Sequence, residues 1–346
     1  MPKLLVVLIN YNHADYLGKC VESILNQSYQ DLNLLFIDNN STERDGLSFM
    51  HEKYDHDPRV TIISNTTNKG YAKAANQGIK VALSREAEYV AIANPDIIYS
   101  PEYFEKILHR LARSPKVASI TGKIYMYDFK NNKPTDIIDS VGLFAYRDRR
   151  IIDDGQGMID EGRFSEEKEV FGISGSCPTY RISALEDSKI MDEYFDEDFF
   201  MYKEDVDLSW RLNLFGWKNL YYPQAIAYHG RGTGIFQRFT KKDMLKNRKT
   251  LTHFQKRHSF RNQHWMQLKN DLWPNVFHDF FPIIFRKIMT PFYILFAEPY
   301  LFLEYFNYLK LFPRMLKKRS LIMKNKKITS KEMGHWFQSQ SGYYKK

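Results

Sequence analysis

Four apolar runs in the first hundred residues each end abruptly at polar residues, and helical stretches lie among them. The runs are "KLLVVLINYN", "LNLLFIDNNS", "RVTIISNTTN" and "AEYVAIANPD". The stretch "YLGKCVESILNQ" carries Leu17, Val21, Ile24 and Leu25 at helical spacing, and "PEYFEKILHRLAR" begins with a proline suited to a first helical turn. Strands alternating with helices imply βαβ units, hence an α/β fold with a mostly parallel sheet flanked by helices. The polar tips are Asn10 to Asn12, Asp38 to Ser41, Asn65 to Asn68, and Asn94 to Asp96. Ligands of open α/β sheets bind outside the carboxyl ends of the strands, so the four tips nominate one crevice.

Later segments differ in character. Residues 128–170 are rich in Asp, Gly and Arg, as expected of turns and short strands, and a core element returns at "VFGISGSCPTYRISALE". From Glu204 the spacing of Leu208, Leu212 and Phe215 predicts a helix stopped by Gly216. "KNLYYPQAIAYHGRGTG" reads as a strand followed by a glycine-rich loop. From about residue 275 the chain is strongly apolar but interrupted by Pro282, Pro291, Pro299 and Pro313, and it carries Arg286 and Lys287. No uninterrupted stretch approaches the ~20 residues that span a bilayer. Short amphipathic helices lying in the membrane interface are expected instead, with the basic run "RMLKKRSLIMKNKK" behind them; a helical subdomain packed on the core is the alternative.

Charge and cysteines narrow the setting. Net charge is +9, and the excess gathers near the C-terminus as a tail rather than a groove, with no RNA-binding signature, so no nucleic-acid partner is expected. No G-x-G-x-x-G follows the first run, which disfavours a dehydrogenase. Cys20 and Cys177 form neither a metal spacing nor a disulfide framework, and "LLVVLI" is too short for a secretion signal, so a cytoplasmic location is expected.

Candidate chemistry rests on carboxylates. Asp96, after Asn94 and Pro95, fits a turn, or a ligand to a divalent cation shared with substrate phosphates. Asp38 fits a turn or a contact to a nucleobase or ribose. Glu204 and Asp205 fit the first turn of a helix. Yet Asp196, Glu197, Asp198 and Asp207 crowd the same stretch among aromatics, and like charges with burial raise a carboxyl toward general-base duty. His229 taken alone fits a structural or solvated histidine; with Arg231 and the glycines it fits instead a loop that wraps a phosphate or completes a metal shell.

In order, "VVLINYN", "FIDNNSTERDG", "NKGYAKAANQGI", "ANPD", "KEDVDLSWR" and "AYHGRGTG" resemble the motifs of family 2 inverting glycosyltransferases of the GT-A fold, over residues 3–240. The segment "DSVGLFAYRDRRIIDDGQGMIDEGRF" is similar to the rhamnosyltransferase-like branch. The resemblance implies a nucleotide-sugar-binding half over 1–127, an acceptor and catalytic half over 128–250, and a C-terminal helical segment over 251–346. It implies donor contacts by Asn10, Tyr11, Asn12, Asp38, Asn68, Asn94 and Asp96. It implies a Mg2+ or Mn2+ ion on Asp96 and His229, Asp205 as catalytic base, and an acceptor side formed by Gly175, Ser176, Glu204, Trp210 and Arg231. Asn94 stands where many members carry a first acid, so the metal is expected to arrive with the nucleotide diphosphate. The implied reaction transfers a sugar, first L-rhamnose from dTDP-rhamnose, to a glycan or lipid-linked glycan at the inner membrane face. The alternatives are a UDP-hexose donor, or a basic peripheral-membrane protein that has lost catalysis.

Overall fold

The structure is a computed structural model and describes residues 3–231 and 248–339. The four apolar runs become β1 (Leu4–Asn10), β2 (Leu32–Asp38), β3 (Val60–Ser64) and β4 (Tyr89–Ala93). They lie parallel in the order β3-β2-β1-β4, and Asn10 stands beside Asp38 in the register. β1 is buried on both faces: Leu4, Val6 and Leu8 belong to one core cluster, and Leu5, Val7 and Ile9 to another. Helix α1 (Ala14–Leu25) covers the first face with Leu17, Cys20, Val21 and Ile24. Helix α2 (Asp45–Tyr54) adds Met50 to that face, and α3 (Tyr71–Ser84) covers the second with Ala72, Ala75 and Ile79. Gly78 lets α3 approach, because a Cβ there would lie 2.3 Å from the Val7 side chain. Strand order reverses between β1 and β4, which opens a crevice at their carboxyl ends.

The sheet continues as a mixed one. After β5 (Ile97–Tyr99) and α4 (Tyr103–Ala112) come β6 (Val117–Asp128), β7 (Lys133–Ser140), β8 (Leu143–Tyr146), β9 (Ile151–Asp153), β10 (Lys168–Val170) and β11 (Thr179–Arg181). β11 inserts antiparallel between β4 and β6, and β7 pairs with β6. Then follow α5 (Ile182–Ser188), α6 (Glu204–Leu214) and β12 (Lys218–His229), the last parallel to β6 and antiparallel to β5. β8 and β9 form a separate small sheet with β13 (Phe337–Gln338).

The C-terminal helices are α7 (His253–Asn270), α8 (Trp273–His278), α9 (Phe280–Ala297), α10 (Leu303–Lys310), α11 (Phe312–Asn325) and α12 (Ser330–Gly334). Trp265, Met315 and Ile322 share one core cluster with Phe171 and Trp210. Two expectations change here. Helix α9 runs 18 residues through Pro282 and Pro291, longer than the short helices foreseen, and is apolar enough by length and composition to cross a membrane. The basic run is not a free tail, because Lys318 is buried and Arg314 and Arg319 bond inward to Asp198, Glu193 and the carbonyls of Leu268 and Asp271.

Candidate functional site

The first tip is a hydrogen-bonded knot. Asp38 is fully buried, and Oδ1 accepts from the Ser41 hydroxyl (2.6 Å) and the Asn10 amide (3.2 Å) while Oδ2 accepts from the Ser41 backbone N–H (3.1 Å). Arg44 stands 3.7 Å from it and is more exposed. Asp38 therefore positions the loop and presents no free face, a correction to the direct base contact expected of it. Asn10 is likewise buried and donates to Ser41. Asn12 adopts a left-handed backbone and its side chain accepts from Thr42 N–H (2.8 Å), which leaves Tyr11 exposed at the rim. Asn68 accepts from Asn39 (3.0 Å) and from Gly70 N–H (2.9 Å), and Asn39 in turn accepts from Asn65 (3.1 Å). These asparagines shape the entry to α3.

The second tip holds the metal candidates. β5 pairs with β12 so that Ile97 lies opposite His229, and Gly230 N–H donates to the Asp96 carbonyl (2.9 Å). That register brings His229 Nε2 to 3.3 Å from Asp96 Oδ1. Nδ1 lies 2.8 Å from Asp139 on β7, a residue that sequence reasoning missed. Burial disfavours the imidazolium, but Asp96 and Asp139 on either side raise His229 to about 10. Burial would likewise raise Asp139, yet Arg231 and His229 bring it down to about 2. Against the same burial effect, His229 and then His13 lower Asp96. A positive charge is thus favoured between Asp96 and His229, and Asp139 fixes the imidazole from behind, the pattern of a carboxylate-backed histidine ligand. The donor set fits a divalent cation.

The third group is acidic. Asp205 lies in the first turn of α6, where Oδ2 accepts from Gly175 N–H (2.8 Å) and Oδ1 from Val206 N–H (2.8 Å). Burial raises the Asp205 carboxyl despite Lys203 beside it. Glu204 is pushed up further, by burial and then by Asp205. The Gly175 carbonyl accepts from Tyr71 on α3 (2.7 Å), and the Ser176 carbonyl accepts from Asn94 N–H (3.1 Å). One short loop therefore ties Asp205 to the β4 tip that leads into Asp96.

Other expectations fail on geometry. Trp210 is fully buried against Phe171 and Phe337 and does not line the acceptor side. It follows Asp205 by five residues, about 140° around the helix, and so faces the core. Ser176 is buried too. Arg231 is held by Asp139 (2.5 Å) and Asp153 (2.8 Å) rather than free for a phosphate, and the glycines after it lie outside the described residues. The acidic crowd before α6 is mostly structural. Glu193, Asp196 and Asp198 bring oxygens within 4.8 Å of one another, as a metal site would. Lys318 already bonds all three (2.6–2.8 Å), Arg314 bonds Glu193 and Asp198, and Lys269 bonds Asp196.

Residues 5–188 match the model of Glycosyl transferase family 2, a match that ends before Asp205. Over 249 residues the chain is 27% identical to the N-acetylglucosaminyl-diphospho-decaprenol L-rhamnosyltransferase of Mycobacterium tuberculosis, covering 65% of this chain and 75% of that one. The fold is similar to GalNAc-T7, solved with UDP, GalNAc and Mn2+, at a TM-score of 0.57 and 11% identity, over 77% of this chain but only 48% of that one. It is also similar to the mannosyltransferase PcManGT from Pyrobaculum calidifontis, solved with GDP-Man and Mn2+, at a TM-score of 0.51 and 17% identity, over 89% of this chain and 74% of that one. With more than half its length matched, all four strand tips among it, the chain belongs to glycosyl transferase family 2 and is a transferase enzyme of the GT-A fold.

Proposed function

We propose that the protein transfers a sugar, with inversion, from a nucleoside diphosphate sugar to a hydroxyl of a glycan or lipid-linked glycan in surface polysaccharide synthesis. The observation that carries this reading is the loop Gly175–Ser176, which links the raised carboxylate of Asp205 to the strand tip bearing Asp96. L-Rhamnose from dTDP-rhamnose is the first donor to test, supported by the rhamnosyltransferase relative; UDP-hexoses come second. Residues 1–127 would form the donor half, 128–250 the catalytic half, and 251–346 the helical segment.

Asp96 and His229 would hold Mg2+ or Mn2+, an assignment supported by the Mn2+ of the solved neighbours. A divalent cation there would offset the charge that builds on the departing diphosphate. Tyr11, Arg44 and the Asn39–Asn68 network flank the donor. Asp205 takes the proton of the acceptor hydroxyl as it attacks the anomeric carbon from the face opposite the diphosphate. One displacement inverts that carbon. Burial and Asp205 push Glu204 toward its neutral form, which limits competing negative charge beside the base.

A panel of nucleotide-sugars with Mn2+, read as nucleoside diphosphate released with and without glycan acceptors, tests the reading. Turnover of one donor is expected; no turnover and no binding of any donor contradicts it. Asp139→Asn is expected to raise the Mn2+ concentration for half-maximal turnover about 10–100-fold, with most activity returning at saturating metal. An unchanged metal titration would remove Asp139 from that role.

A peripheral position on the inner face of the membrane is part of the proposal. Phe281, Phe285 and Phe296 on α9 are 80%, 67% and 83% exposed. Arg286 and Lys287 near the middle of α9 favour lying in the interface, since a span would carry them toward the bilayer centre at about 2.5–3.5 kcal/mol each. Deleting the C-terminal helices would open the core around Met315 and Ile322, so substitution is the better test. Replacing the three phenylalanines by serine is expected to abolish flotation with liposomes while leaving the unfolding midpoint nearly unchanged. Equal flotation would refute the interfacial role.

A further inference from the structure

A large cavity among the described residues reaches Lys203, two positions before Asp205. It has a volume of about 1080 Å3 and is enclosed by the β8–β9 hairpin, α7, α9 and α10. Its wall includes Lys203, the residue before the Glu204–Asp205 pair. Six cations line it, Arg147, Arg150, Lys203, Arg248, Arg286 and Lys287, against one acid, Asp148.

Pairing leaves that excess in place. Arg147 and Arg248 are bound to Asp279 and Glu298. Arg286 stands 3.7 Å from the Asp148 carboxylate and donates to the Asp148 carbonyl at 3.4 Å. Arg150 stacks on Tyr146 at 4.4 Å, and its buried Nε has no hydrogen-bond partner. Lys203 donates to the Ile151 carbonyl at 3.4 Å. Five of these cations are half-buried and Lys287 is exposed, so the lining keeps a positive potential that favours an anion.

The same helix that supplies Phe285, Arg286 and Lys287 to the cavity wall exposes Phe281, Phe292 and Phe296 outside it. An anionic head in the cavity would therefore sit directly beneath an apolar surface. A nucleotide donor has no apolar tail and is served by the strand tips; the cavity suits an amphiphile. Its volume admits a diphosphate and an attached sugar, whose hydroxyl would stand near Asp205.

We infer that this cavity receives the diphosphate of a polyprenyl-diphosphate-linked saccharide, Arg150, Arg286 and Lys203 contacting the phosphates and α9 meeting the lipid chain. The inference deepens the transferase reading and rests on it only for the role of the bound molecule as acceptor.

The test uses the full chain and phosphatidylcholine vesicles of three kinds, carrying polyprenyl diphosphate, uncharged polyprenol, or phosphatidylglycerol at matched charge. The wild type is expected to prefer the diphosphate vesicles over both others. Arg150→Gln with Arg286→Gln is expected to weaken that binding about 10–100-fold, as two lost charge-assisted contacts would, with donor hydrolysis unchanged. Arg150→Lys with Arg286→Lys should recover much of the preference, which separates lost charge from lost folding. Equal binding to all three vesicles, an undiminished preference in the glutamine variant, or soluble pyrophosphate binding as tightly as the diphosphate vesicles would each overturn the inference. Vesicle binding needs no donor, so a protein that hydrolyses no nucleotide-sugar would end the transferase reading while leaving the cavity to be judged on its own result.

Discussion

Asp205→Asn should lower sugar transfer about 10²–10⁴-fold while donor affinity stays close to that of the wild type, the range expected when a positioned general base is removed. The amide keeps the size and, with its oxygen toward Gly175 N–H, that hydrogen bond, so the loop that carries Gly175 and Ser176 need not move; the bond from Val206 N–H is given up. What it loses is the capacity to accept a proton. Glu204→Gln is the matched control: burial and Asp205 already push Glu204 toward its neutral form, and a neutral amide should retain most turnover. If the two variants exchanged these results, Glu204 would be the base. The pH profile adds an independent reading. Burial raises Asp205, so protonation removes the base at a higher pH than for an ordinary carboxylate, and activity should fall on the acid side above the usual carboxylate range. An acid limb at the ordinary position would show Asp205 to be solvated during turnover.

Lys269→Met should destabilise the protein by about 3–5 kcal/mol, the cost of leaving buried charge unpaired. Lys269 is fully buried between Asp196 and Asp207, the latter at 2.9 Å. Asp196 keeps Lys318 when Lys269 is removed, but among the described residues Lys269 is the cation paired with Asp207. Methionine fills much of the same space, so the loss is electrostatic rather than a cavity. Denaturant unfolding should show it as a lower midpoint, and adding Asp207→Asn to Lys269→Met should recover part of the loss, because the unpaired charge is then gone. A single variant within about 1 kcal/mol of wild type, in the range of exposed pairs, would mean that water reaches the pair.

The parts of the fold legible in the sequence are those whose cause is local. β1, β2 and β4 are apolar because they are buried on both faces, and their polar ends mark the crevice. Helices α1, α3 and α4 declare themselves by periodicity. The three-residue β11 is too short to declare anything, yet it turns a parallel sheet into a mixed one. Pro282 falls in the first turn of α9, where a missing N–H costs little, so it does not stop that helix.

The site divides the same way. Asp96, Asp205 and His229 sit at element ends, where sequence pattern points. Asp139 is an ordinary strand residue until folding brings it to His229, 90 positions away. The acids around Asp196 look like catalytic crowding because their partners, Lys269, Arg314 and Lys318, lie far along the chain in helices whose charges read as a tail. Asp38 looks available because turn chemistry is silent about the hydroxyl and amide that Ser41 and Asn10 turn toward it.

Crystals grown with Mn2+ and a nucleoside diphosphate, measured for the anomalous scattering of manganese, address the donor site itself. A peak between the Asp96 carboxylate and His229 Nε2, with diphosphate oxygens beside it and Asp205 facing the same crevice, is the predicted result. A peak among Glu193, Asp196 and Asp198, or a nucleotide bound away from Asp96, would contradict the account.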